Sequence, residues 1–173
     1  MHVLRHCLAP GLAACLALGC AGCSPTLNWR EARLAGVGAT ALLPCRSDAQ
    51  SRRLPLAGRT VAWTLRACSA GDATWAVAFA DMGDAAAVAP ALQQLRQAAA
   101  RNLGETAPAA ALPTVAGRLR LEGQLPDGRA VQELLTVFAR GTTVFQLSVI
   151  GPHLDRLPAD ALDAFFASLR TAS

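Results

Sequence analysis

The sequence predicts an α+β fold, with a central antiparallel sheet packed by two helices behind an N-terminal signal peptide. Three observations carry that prediction. Short apolar segments alternate with turn-forming residues, so the strands read as hairpins. Two segments, one central and one C-terminal, instead repeat their apolar residues with the helical period. Before both lies an uncharged apolar run that ends in small residues and cysteine.

That run decides the address. Met1 to His6 carries one firm positive charge, Arg5, and Cys7 to Gly19 follows without any charge. This is the layout of a secretory signal. The run is short of the roughly 20 apolar residues that span a bilayer comfortably as a helix, which ranks a spanning anchor below a signal. The end of the run resembles the lipobox of bacterial lipoproteins, where a cysteine thiol receives a diacylglycerol and the signal is cut just before it. Ala17-Leu18-Gly19-Cys20 and Cys20-Ala21-Gly22-Cys23 both fit in part. Cys23 is preferred, because its Ala-Gly approach is the usual one and Ser24-Pro25 begins a plausible tether; Cys20 is the alternative. An ordinary signal with incidental cysteines is the competing reading. The expected organisation is a signal over 1–22, a tether over 23–33 and one domain over 34–173. In bacteria with the usual sorting rule, Ser24 or Ala21 after the cysteine, rather than Asp, resembles an outer-membrane lipoprotein, with the chain facing the periplasm. Palmitate and related acyl chains would make the attachment effectively permanent, at about 0.8 kcal/mol per buried methylene.

The strands and helices follow in order. Val37 to Leu43 reads as the first strand, ended by Pro44. Arg46 to Arg53 is polar and reads as a turn, and Leu54 to Ala57 as a brief edge strand, since Pro55 cannot donate to a ladder. Arg59 to Cys68 and Thr74 to Ala80 alternate well. A five-residue connection would pair Ala67 with Trp75, Leu65 with Val77 and Trp63 with Phe79, placing every large residue on one face; the hydrophobic pattern selects this register. Ala85 to Leu103 is the internal helix, with Pro90 in its first turn, Leu92, Leu95, Ala99 and Leu103 on its stripe, and Gly104 at its end. Glu105 to Pro113 is a connector. Val115 to Leu121 reads as a strand, and Pro126-Asp127-Gly128 as a turn. Arg129 to Ala139 and Thr142 to Ile150 form a hairpin around Arg140-Gly141. Pro158 to Arg170 closes the chain as a helix, with Leu162, Phe165, Phe166 and Leu169 on its apolar side.

Composition excludes more than it assigns. The chain has 173 residues and a net charge of +4, with 16 basic residues, all arginine, and no tyrosine. With Arg5 removed the mature region is only weakly basic, which is no nucleic-acid footprint. Of three histidines, only His153 outlives cleavage, and it sits in a Gly151-Pro152-His153 loop. A histidine-rich metal site is therefore excluded, and a catalytic triad would depend on His153 alone. No nucleophile elbow and no phosphate loop is present. Asp81 and Asp84 before the internal helix, and Asp160 and Asp163 near the last, read as caps and complements of helix dipoles. No cofactor is indicated, and the chain is expected not to be an enzyme.

If Cys23 carries lipid, Cys45 and Cys68 remain as a pair. In an oxidising periplasm they should close, stabilising the fold by roughly 3 kcal/mol for a loop of about 20 residues. A redox-active or metal-binding pair is the rival. Arg46, Arg52, Arg53 and Arg59 lie close together in sequence and are candidates for anion binding through bidentate contacts, as are Arg118 and Arg120 on one strand face. A solvated surface that discourages edge pairing is the plainer account. Trp29 is expected to pack against the edge of the fold rather than to enter the membrane interface.

Gly22-Cys23-Ser24-Pro25, Asn28-Trp29-Arg30-Glu31, Leu42-Leu43-Pro44-Cys45, Ala67-Cys68 before a strand and Phe165-Phe166-Ala167-Ser168-Leu169 together resemble a family of proteobacterial lipoproteins. The order of elements also resembles the PsbP/Mog1-type sandwich. The resemblance implies that fold and a Cys45–Cys68 disulfide, and brings no catalytic residue. The expected function is a non-enzymatic binding or scaffolding role at the envelope, with the membrane, another envelope protein or anionic lipid as partner. The alternative is a small-ligand or lipid-binding module with its pocket between sheet and helix.

Overall fold

The computed structural model describes residues 26–104 and 113–171. The expected signal, Cys20, Cys23 and most of the connector after the internal helix lie outside the described residues.

Tight turns with both central residues at positive φ shape the hairpins. Ala57-Gly58, Gly71-Asp72 and Ala116-Gly117 each have that geometry, with φ of 61° and 58° at Gly71 and Asp72. It matches the right-handed twist of the strands it joins. Among the described residues the ten strands are β1 (Arg30–Leu34), β2 (Ala39–Leu43), β3 (Asp48–Leu56), β4 (Arg59–Ala70), β5 (Ala73–Asp81), β6 (Thr114–Val115), β7 (Arg118–Gln124), β8 (Ala130–Arg140), β9 (Thr143–Gly151) and β10 (Arg170–Thr171). Helix α1 (Val88–Asn102) follows β5, and α2 (Ala159–Phe166) follows β9. The main sheet has seven strands in the order β3-β4-β5-β9-β8-β7-β6, and β1-β2-β10 form a second sheet of three. Every pairing between strands is antiparallel.

The α+β class therefore stands, with several boundaries corrected. The domain begins earlier than expected, because β1 occupies the end of the predicted tether. Arg46 to Arg53 is no turn; from Asp48 onward it belongs to β3, which lies at the sheet edge where Pro55 is tolerated. The expected strand from Val115 to Leu121 is split by the Ala116-Gly117 turn. The last helix stops at Phe166, and Arg170 instead pairs with Thr40.

The β4–β5 register is also corrected. Ala70 pairs with Ala73 across a two-residue turn, so Cys68 faces Trp75, Arg66 faces Val77 and Thr64 faces Phe79. Trp63 and Trp75 consequently project from opposite faces of the sheet. Concentrating large residues on one face is favourable only if the other face meets water, and here both faces are covered. Helix α1 covers one face, where Val61, Trp63, Ala78, Leu95, Leu121 and Leu135 share a core. Helix α2 and the small sheet cover the other, where Leu34, Leu43, Trp75, Phe79, Phe145 and Phe165 share a second core.

The second core is aromatic at its centre. Trp75 meets Phe165 edge-on with ring centroids 5.3 Å apart, and Trp29 meets Trp75 in the same manner at 5.9 Å. Trp29 thus packs on the fold. The buried indole of Trp75 donates to the Ala70 carbonyl at 2.9 Å, which satisfies its polar edge. Cys45 and Cys68 form a disulfide with Cα atoms 5.8 Å apart, joining the β2–β3 connection to β4. Asp84 caps the short 3-10 turn before α1 by accepting from the Ala86 N–H at 2.9 Å, as expected of a capping carboxylate. Asp81 serves a turn instead, accepting from the Gly83 N–H and the Thr142 hydroxyl, and these bonds hold its carboxyl below the ordinary range.

Candidate functional site

Helix α1 packs across one face of the sheet. Just before mid-length, Gln94 accepts from the Ala57 N–H of the β3–β4 turn at 2.8 Å. At mid-length, Arg96 donates to the Val137 carbonyl of β8 at 3.1 Å. At its end, Leu103 lies on the backbone of Gly123 in β7. Alongside the helix a cleft of about 250 Å³ opens between α1 and the sheet.

The floor of the cleft contains an anomaly. Val131, Glu133, Leu135 and Val137 occupy the α1-facing phase of β8, and three of the four are apolar. The fourth, Glu133, is only 8% exposed. Burial pushes its carboxyl up from the ordinary 4.5 to about 7, against the opposing effect of a hydrogen bond with the Ser148 hydroxyl of β9. The same phase of β9 supplies Gln146 and Ser148, so a polar strip interrupts an otherwise apolar face. Trp63, Leu95 and Ala98 wall the cleft, Gln94 and Asn102 line its helix side, and Arg52 lies toward the β3 edge. A buried carboxyl costs free energy unless it is paired or neutral. Among the described residues no ion pair joins it to an arginine, so it can take up a proton near neutrality or accept an external donor.

A larger hollow of about 490 Å³ lies by the β4–β5 turn, next along the same face past Val131 and Ile150. It is wide and shallow, and its ionisable side chains, Asp72 and Arg129, are at the surface. The Glu133 cleft is the better candidate because it joins enclosure, apolar walls and a buried titratable group.

The residues singled out in the sequence lie elsewhere, with one exception. Arg52 borders the cleft. Arg53 is its neighbour along β3 and therefore faces the other side of the strand. Arg46 precedes β3, while Arg59 begins β4 and pairs with Asp84 at 3.4 Å. Strand geometry thus spreads the four along and beyond nine residues of β3. Arg118 is 2.8 Å from Asp163 and stacks over Phe166, which engages it on the α2 side of the sheet. His153 is exposed in the loop after β9. Glu133 itself was legible only as a charge in the apolar phase of a strand. Its neighbour Leu134 is buried on the opposite face, and that blurs the alternation from which a misplaced charge would be recognised.

Among the described residues no group of three histidine, cysteine, aspartate or glutamate side chains could hold a metal ion. No helix among them is long and apolar enough to cross a membrane. No protein-family model, no curated protein and no solved structure matches this chain.

Proposed function

We infer that this chain is an outer-membrane lipoprotein facing the periplasm, with a non-enzymatic binding role exercised through the cleft between α1 and the sheet. The observation that carries the reading is Glu133, a carboxyl kept in the apolar phase of a core strand and opening into an enclosed cleft. A side chain that serves only packing would be apolar there. Acyl anchoring at Cys23, with Cys20 as the alternative, rests on the lipobox-like approach in the sequence. A PsbP/Mog1-like sandwich is in keeping with an antiparallel sheet covered by helices. The Cys45–Cys68 bridge is in keeping with an oxidising compartment.

The test has two arms. Palmitate labelling of the full chain, with Cys23→Ala and Cys20→Ala variants, reports the anchor; an unlabelled chain that retains Met1 removes it. Native mass spectrometry of membrane-purified protein reports the binding role. A copurifying small molecule lost on Ala98→Trp, which fills the cleft, supports it. A molecule that stays bound in that variant places the binding site elsewhere.

A further inference from the structure

We propose that the cleft beside α1 takes a small organic cation, an alkylammonium whose head sits on Glu133 and whose apolar tail lies along Trp63. This rests on the cleft being the binding site, and adds the chemical class of its ligand.

The argument begins with charge. A carboxylate this buried needs a positive partner, and breaking or omitting such a pairing is strongly destabilising. Among the described residues, no element packed around Glu133 provides one. Strand β9 presents the uncharged Gln146 and Ser148. Strand β7 presents Leu121, which is paired directly with Glu133, while Arg120 and Glu122 alternate to the other face. On α1, Arg96 is committed to the Val137 carbonyl. Arg52 shares the cleft, but no ion pair joins it to Glu133 among the described residues, and the influences on the Glu133 carboxyl are burial and Ser148 alone. The charge missing at the bottom of the cleft is therefore positive.

The walls define the rest of the molecule. Trp63, Leu95 and Ala98 give an apolar passage for the tail. The volume, about 250 Å³, lies below the 300–1,000 Å³ usual for drug-sized ligands, so the tail is short. Arg52 toward the sheet edge disfavours a second positive charge at the far end of the ligand. A monoamine therefore fits better than a diamine of the same length, and a carboxylate is repelled from Glu133.

Binding and protonation are linked. An alkylammonium pairs with the ionised carboxyl, so the proton that Glu133 holds leaves for solvent as the ligand enters. With the Glu133 carboxyl pushed up to about 7, affinity rises with pH, approaching tenfold per unit below neutrality, and levels off above it.

The experiment uses the full chain in detergent, labelled with nitrogen-15, and follows the three tryptophan indole resonances. Trp63→Phe identifies the one in the cleft, and Trp29 and Trp75, on the other face, serve as internal controls. The probes are n-butylammonium, n-butanol and butyrate. Saturable movement of the Trp63 signal by butylammonium is expected, at least tenfold tighter than by butanol, weaker at pH 6 than at pH 8, and lost in Glu133→Gln. Thermal melting of that variant confirms that it is folded. Equal response to butanol and butylammonium, unchanged in Glu133→Gln, overturns the cationic ligand and leaves the cleft as a neutral site. Failure of all three probes to move Trp63 up to their solubility limits overturns both.

Discussion

Gly123 of β7 and Leu103 at the end of α1 meet backbone to backbone. A Cβ on Gly123 would fall closer to the Leu103 carbonyl than real Cβ atoms approach any neighbour. The contact seats the end of α1 on the sheet and so fixes one end of the cleft. Gly123→Ala should force the helix away and cost about 1–3 kcal/mol, the usual range for overpacking. Urea denaturation should show a lower midpoint with an unchanged slope. A midpoint equal to the parent's would mean that the helix end can lift freely.

Glu133 should give the fold an unusual pH response. Its carboxyl is raised from 4.5 to about 7 in the folded chain. The folded state therefore holds a proton that the unfolded state releases first, and the associated stability is full below about 4.5 and lost as pH rises through about 7. Glu133→Gln should abolish that loss and be more stable than the parent at pH 8, by at most about 3 kcal/mol at 1.36 kcal/mol per unit. Melting temperatures at pH 5 and pH 8 for both proteins make the comparison. The same slope in both would show that another group governs it.

Reduction should loosen the join between the two sheets. Opening Cys45–Cys68 should cost roughly 3 kcal/mol for a loop of this length. The Cys45→Ser/Cys68→Ser double variant should match the reduced parent in guanidinium unfolding. A reduced parent as stable as the oxidised one would show that packing alone holds the bridged segments.

Phe165 has no exposed surface, and it touches both Trp75 and Phe166. Truncation to alanine should cost about 3–5 kcal/mol. The fluorescence of Trp75 should shift to the red as water reaches the cavity. An unshifted spectrum would mean that α2 collapses onto the space.

Much of the architecture was legible because it rests on local chemistry. Pro90 and Gly104 bound α1, and Gly151-Pro152 ends β9. The β4–β5 register was not legible from pattern, although the turn itself pointed to it. Gly71-Asp72 favours a two-residue hairpin, and this outweighs gathering Trp63 and Trp75 on one face once the second face is also buried. Whether a face is buried depends on layers supplied from distant parts of the chain, here β1, β2 and α2. For the same reason Glu133 does not stand out in the sequence. Its neighbours on both sides are apolar, so the strand reads as continuous core. The arginines are close in sequence, but an extended strand separates and alternates what a turn would have gathered.

The bridge between Cys45 and Cys68 also sets how the domain bears tension. A pull on the N-terminal end reaches β1 and β2 first, and the Asn28 N–H is tied to the Pro44 carbonyl at 2.7 Å beside Cys45. Without the bridge, the load would continue into β3 and peel that edge strand from the sheet one hydrogen bond at a time. With it, the load passes directly into β4, which is clamped along both sides by β3 and β5. The covalent link thus carries the load past an edge strand to an inner one.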